Sequence, residues 1–295
     1  MSPLPGLLAA ARLALRQFLN GPRKWLLLLL GAVFPGIISI FAFAVEHGPV
    51  NPFLQIFDGI YFSVILLLIA LLGATSGFSG DAEDGTVVYL FTRPTPRWAI
   101  VVGKWLGTLL PLIVLTLVPV FVSWGLAQHR PGDDSASADA DEPAAMVPTG
   151  DGKPPGTGAP NRTSGAPRPR TVHETPGVKD LALVSFATAL STLEFGTLFF
   201  ALGVVLGRPY VVGLCYSVLF ELILGITPFK MWVLSKMLRG AVFRILTPVP
   251  RFWEGALENL PSATVCAIGL VVVPVASLAL AMIVVGHKSY LSKAD

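Results

Sequence analysis

Charge is what this chain has least of. Asp, Glu, Lys and Arg make up only 13% of its 295 residues, beside 53% apolar residues and a mean hydropathy of +0.70. Globular chains carry about 25% charged residues, so a soluble domain is excluded and a polytopic membrane protein remains. The net charge of +3 is small, and the basic residues are scattered through loops, which leaves no footprint for nucleic acid. Cysteine is nearly missing: Cys215 and Cys266 fall inside apolar runs at no metal-ligand spacing, so free, buried thiols and no metal site are expected. Histidine is missing from those runs, since His47, His129, His173 and His287 flank them. No paired Asp, Ser with His, or H-E-x-x-H lies within them either, which argues against an intramembrane hydrolase. A phosphate-binding loop is missing as well. Gly103-Lys104 is followed by Trp105, and Trp98 stands where the first glycine would have to be. No catalytic and no cofactor-binding residue is therefore assigned, and ATP is not expected to bind here through a P-loop.

What the chain has in quantity is apolar sequence of spanning length. Six transmembrane helices are predicted at about 25–44, 54–78, 99–126, 181–207, 210–229 and 263–286, each near or above the ~20 residues that cross ~30 Å of hydrocarbon. Pro35, Pro111, Pro119 and Pro274 lie within them and call for support from neighbouring helices. Gly73 and Gly77 form a small-xxx-small pair that permits close helix approach. The fold class expected is thus an all-α polytopic membrane protein. Residues 1–24 read as a cytoplasmic interfacial helix: Leu4, Leu7, Leu8, Ala11, Leu15, Phe18 and Leu19 recur at helical spacing, with Arg12, Arg16 and Gln17 on the other side. A signal peptide is the rival, through Ala42-Phe43-Ala44, but the run from Trp25 already spans and further spans follow. Arg12, Arg16, Arg23 and Lys24 precede the first span and no basic residue lies between Val45 and Phe53, which places the N-terminus inside.

Between these runs lie three segments of other kinds. Residues 127–179 are rich in Pro, Gly, Ala, Ser and Asp and read as a disordered extracytoplasmic loop, unable to bury enough surface to offset ordering. Residues 230–261, within the unit 180–295, read as short outer helices, with Lys236, Arg239 and Arg244 beside an apolar series ending at Ile245. Five basic residues on an outer segment sit poorly with the charge rule. The third segment, 79–98 within the unit 25–126, is polar and lies between two spans. Asp81 can cap a short helix over 81–92 with Glu83 and Asp84 in its first turn. Arg93 before Pro94 ends it, Thr95-Pro96 opens the next helix, and Lys104 can snorkel back from the second turn. An ordinary capped loop explains the same features.

Glu194 precedes Arg208 by 14 residues and Glu221 follows it by 13. In an antiparallel pair turning at Arg208 both carboxyls lie ~20 Å from the turn at ~1.5 Å per residue. Acids at that depth avoid lipid. A polar pathway extended by Thr188, Ser191 and Thr192, or a hydrogen-bonded packing pair, are the two readings.

Glu83-Asp84-Gly85-Thr86, then Arg93-Pro94-x-x-Arg97, then Gly103-Lys104 opening the following span, resembles the E-x-G-T, basic-Pro-x-x-Arg and Gly-Lys pattern of ABC-2 type transporter permeases. The likeness extends over about four-fifths of the chain; the long loop departs from it. The resemblance implies a type V exporter-like permease fold in the bacterial plasma or inner membrane. It also implies docking of a separate ABC ATP-binding subunit on Glu83, Asp84, Gly85, Thr86, Arg93, Pro94, Arg97 and Lys104. It further implies a homodimer, or a heterodimer with a related permease, working among membrane lipids; it does not name the cargo. A secondary transporter would show repeat symmetry and more ionisable groups in its spans; a non-transporting scaffold is the other alternative.

Overall fold

The computed structural model describes residues 4–21, 23–44, 52–83, 96–128, 177–206, 209–219, 234–245 and 260–287, and across them it is helical, without strands. In chain order the elements are α1 (Leu4–Asn20), α2 (Arg23–Ala44), α3 (Pro52–Ile56), a π-helical stretch (Phe57–Ile65), α4 (Leu66–Glu83), α5 (Arg97–Gln128), α6 (Val178–Val205), α7 (Pro209–Tyr216), α8 (Leu234–Ile245) and α9 (Ala263–His287). Among the described residues, four stretches are long and apolar enough to cross a membrane: Phe57–Gly77, Arg97–Gln128, Val178–Val205 and Ala263–His287. They coincide with the second, third, fourth and sixth expected spans. A fifth exists if α1 and α2, bent by 70° to each other, are one broken span. Of the expected span at 210–229, only the helix up to Leu219 lies within the described residues. The loop expected at 127–179 falls almost wholly outside them.

Small residues set the packing. Gly73 of α4 faces Leu112 of α5, and Gly77 faces Thr108, at distances that leave no room for a Cβ. The expected close approach through this pair is therefore present. A second seam of the same kind joins α1 to α5: Gly103 lies against Leu7 and Ala10, and Gly107 against Ala11 and Ala14. Both sides carry small residues four apart, Ala10 with Ala14 and Gly103 with Gly107, so two backbones meet closely over one turn. Of the apolar series read along α1, Leu4, Leu8, Leu15 and Leu19 are exposed, while Ala10 and Ala14 are buried against α5.

At the end of the bundle opposite residues 79–98, aromatic rings fill the core. Phe34 of α2 stacks on Tyr61 at 4.4 Å and lies 6.3 Å from the rings of Phe53 and Phe57. The Tyr61 hydroxyl donates to the Thr116 carbonyl of α5, which satisfies the polar tip of a fully buried ring. Pro35, Pro111, Pro119 and Pro274 all lie inside helices, and Pro119 rests against Gly31 of α2. Of the two thiols expected to be buried, Cys266 is buried and Cys215 is exposed. Gly213 turns toward Leu71 and Phe199, so Cys215, two residues on and across the helix, points outward.

Candidate functional site

The polar segment 79–98 begins inside a helix. Residues Asp81, Ala82 and Glu83 continue α4, so Asp81 does not cap a new helix; Ser79 and Gly80 fail to break a helix whose hydrogen-bonded turns are already propagating. Asp84, Gly85, Thr86, Arg93 and Pro94 lie outside the described residues, as does the expected helix beyond Glu83. α5 then starts at Arg97, with the Ala99 amide bonded to the Pro96 carbonyl at 2.9 Å, as expected for a proline opening a helix. The two helices flanking the segment are locked together at Gly77, about two turns from the end of α4, and Thr108, about three turns into α5.

Arg97 was assigned to a partner interface, and its guanidinium reaches across the bundle. Nη1 donates to the Gly286 carbonyl at 2.9 Å and lies 3.4 Å from that of Val285, in the last turn of α9. Those carbonyls have no intrahelical donor, and a cation at a helix C-terminus is favoured by the dipole. Lys104 does not snorkel: its side chain is fully buried. Position 104 falls between the face of α5 that meets α1 at Gly103 and Gly107 and the face that meets α4 at Thr108, so both neighbours enclose it.

The second locus is the polar face of α6. Thr188, Ser191, Thr192, Glu194 and Thr197 are all fully buried. Each hydroxyl bonds back to the carbonyl four residues earlier, at 2.6–2.7 Å, which satisfies it without a partner helix. Two contacts nevertheless cross to α5: Thr192 meets Thr116 at 3.0 Å between hydroxyls, and Trp105 Nε1 donates to Thr197 at 3.0 Å. Glu194 differs from its neighbours. Its two carboxyl oxygens are buried and meet no hydrogen-bond partner among the described residues, and Glu221, its expected companion, lies outside them.

A third cluster was not read from the sequence. Arg239 of α8 places Nε 2.8 Å from Asp58 Oδ1, and its Nη2 donates to the Asp58 carbonyl at 2.7 Å and to Ser63 Oγ at 2.8 Å. Its guanidinium also lies over the Phe62 ring, 5.3 Å from the centroid. Asp58 and Ser63 belong to the π-helical stretch, where the chain winds one residue wider: Leu66 N–H reaches Tyr61 and Ser63 Oγ reaches the Asp58 carbonyl, five residues back in each case. One signal was available. A lone Asp58 inside an apolar run needs a cation, and the unexplained bases of 230–261 offered one.

No curated protein matches the chain significantly. The family model described as ABC-2 family transporter protein matches residues 32–243, which takes in α3 to α7, the whole 79–98 segment and most of α2 and α8. With a match over well more than half its length, and apolar helices arranged around a buried polar face, the chain belongs to the ABC-2 family and is a multi-pass ABC transporter permease.

Proposed function

We propose that this permease is the membrane subunit of an exporter driven by separate ATP-binding subunits, which dock on the segment 79–98. The observation that carries the reading is mechanical. The segment leaves α4 and enters α5 about two to three turns from where those helices are locked through Gly77 and Thr108, so a push on it is delivered to two spans together. Arg97 then passes the displacement to the end of α9. Glu83, Asp84, Gly85, Thr86, Arg93 and Pro94 are the docking residues, Arg97 and Lys104 the first internal relay. Two copies of the chain, or this chain with a related permease, form the pathway in the bacterial plasma membrane. Glu194 with Glu221 lines it, offering hydrogen-bonding or charge to a cargo at mid-depth. No step of ATP hydrolysis occurs on this chain; closure of the motor subunits biases the docked segment between two positions.

The test is reconstitution with candidate ABC ATP-binding subunits from the same organism. Vanadate-sensitive ATP hydrolysis that rises in the presence of the permease is expected. Glu83→Lys should abolish that rise while the protein still inserts and folds. Unchanged stimulation by the Glu83→Lys protein would remove the docking assignment, and failure of any such ATPase to bind would favour a scaffold.

A further inference from the structure

α8 packs Leu234, Leu238 and Val242 into the common core beside α6, and beyond that makes two unlike contacts. Toward α9 the contact is dry and close: Gly240 lies against Cys266 Sγ and Gly269 against the Met237 sulfur, each within the distance a Cβ would need, and Cys266 is fully buried beneath. Nothing there can be exchanged for water without opening a void between two helices. Toward the π-helical stretch the polar contact is the Arg239 fork on Asp58 and Ser63. Both side chains of that ion pair keep some exposure, 15% for Arg239 and 22% for Asp58, with the Nε atom itself buried, so water can reach the edges of the pair. Lys236, one turn away, adds positive field at Asp58. The wide π-helical winding leaves the Asp58 carbonyl accepting from two side chains, Ser63 and Arg239, rather than closing the ordinary helical ladder alone.

We propose that α8 and α9 move as one body, and that Arg239 is the releasable contact that closes this body onto Asp58 and Ser63 at the end of the second span opposite residues 79–98. The packed seam is the rigid joint and the charge-assisted fork is the latch, because close packing separates only as a unit whereas a partly wetted ion pair exchanges partners with water. The second span thus carries the docking segment at one end and the latch at the other. A displacement of α4 relative to α8 therefore loads the Arg239 contact. The permease reading enters only as the source of that displacement.

Two thiols in one protein read the two contacts separately. Ser235 is buried on α8, one turn before Arg239 and on the same face, while Cys266 is buried under Gly240. In lipid nanodiscs, a Cys215→Ala, Ser235→Cys protein is exposed to a small water-soluble maleimide, and modification at each site is followed by mass spectrometry. Both sites should react slowly in this parent. Arg239→Gln, or Asp58→Asn, which keeps every atom position, should speed the reaction at position 235 by roughly tenfold or more while Cys266 stays protected. Exchanging the charges, Asp58→Arg with Arg239→Asp, should restore slow reaction at 235. The proposal is overturned if position 235 stays protected in both single variants, if Cys266 becomes reactive along with it, or if the exchange fails to restore protection. Where Arg239→Gln is not monodisperse, Asp58→Asn decides. The labelling needs neither motor nor cargo, so a negative result leaves the permease reading untouched, and loss of ATPase coupling leaves the latch untouched.

Discussion

α6 and α9 are both long, apolar and of spanning length, 28 and 25 residues, yet they are held in opposite ways. In α6, 67% of the most apolar window is buried, and polar residues are turned into the protein; in α9 the figure is 17%. Along α9, Ile268, Val271, Val272, Val275, Leu280 and Ile283 face outward, and the inward stripe is Cys266, Gly269, Ser277, Ala281 and Val285. α6 is fixed along its length by close packing, Gly196 on Leu109 and Gly203 on the Thr75 backbone, and by hydroxyl and indole contacts to α5. α9 packs this one narrow stripe on α6, α8 and α5 and has an arginine near each end, Arg97 directly on its last carbonyls and Arg239 on the neighbouring α8. Hydropathy alone ranks α9 as the better membrane helix, 2.8 against 1.6. The difference teaches that a buried helix can spend its surface on polar and small residues because neighbours replace lipid, whereas a peripheral helix must be apolar outward and is steered from its ends.

Three substitutions break or sharpen that contrast, in order of expected size. Gly203→Ala places a methyl 2.8 Å from the Thr75 carbonyl oxygen. Since the obstacle is backbone, α4 and α6 must part, and a loss of about 1–3 kcal/mol is expected in thermal or denaturant unfolding in detergent. Gly286→Ala in α9, where a Cβ meets nothing within 4 Å, is the control and should change stability by no more than about 1 kcal/mol. Equal losses at the two positions would erase the distinction between a packed and a peripheral helix.

Glu194→Leu tests whether the polar face of α6 serves the fold or the transport. Removing a buried carboxyl that meets no hydrogen-bond partner among the described residues should leave stability unchanged or raise it by about 1–3 kcal/mol. Cargo-stimulated ATP hydrolysis of the reconstituted complex should fall at the same time. A clear drop in unfolding temperature would instead mark Glu194 as a packing residue, paired with a group beyond the described residues.

Arg97→Gln has the smallest expected effect on stability. It withdraws a cation from the C-terminus of α9 and should cost about 0.3–1 kcal/mol at low salt, shrinking as salt is added. Arg97→Lys should recover part of the charge effect without the reach of the guanidinium. A loss that does not respond to salt would show that the contact is packing rather than charge.

The sequence reading located four of its spans, the proline positions, the Gly73 and Gly77 contact and the start of α5, because each depends on local hydropathy or local backbone chemistry. It misplaced what depends on neighbours. Asp81 looked like a cap because its own turn allows one, but α4 runs through it to Glu83. Lys104 looked able to snorkel because a free helix would let it, but α1 and α4 close over that side of α5. Arg97 drew notice only through the resemblance of its Pro-x-x-Arg pattern; that it bonds to the last turn of α9, 189 residues away in sequence, was not legible. Asp58 was passed over within its apolar run, although its need for a cation was written there.

By itself, then, the sequence determined that this chain is a multi-pass membrane protein, four of the stretches long and apolar enough to cross the membrane, where the polar segment between two of them lies and, through that segment's motifs, its family. These follow from composition and from interactions within a turn or two of the chain. Only the tertiary structure decided which charges meet. Arg239 with Asp58 and Arg97 with α9 are pairings across 181 and 189 residues, and an ion pair's strength depends on separation in space, about which spacing along the chain is silent.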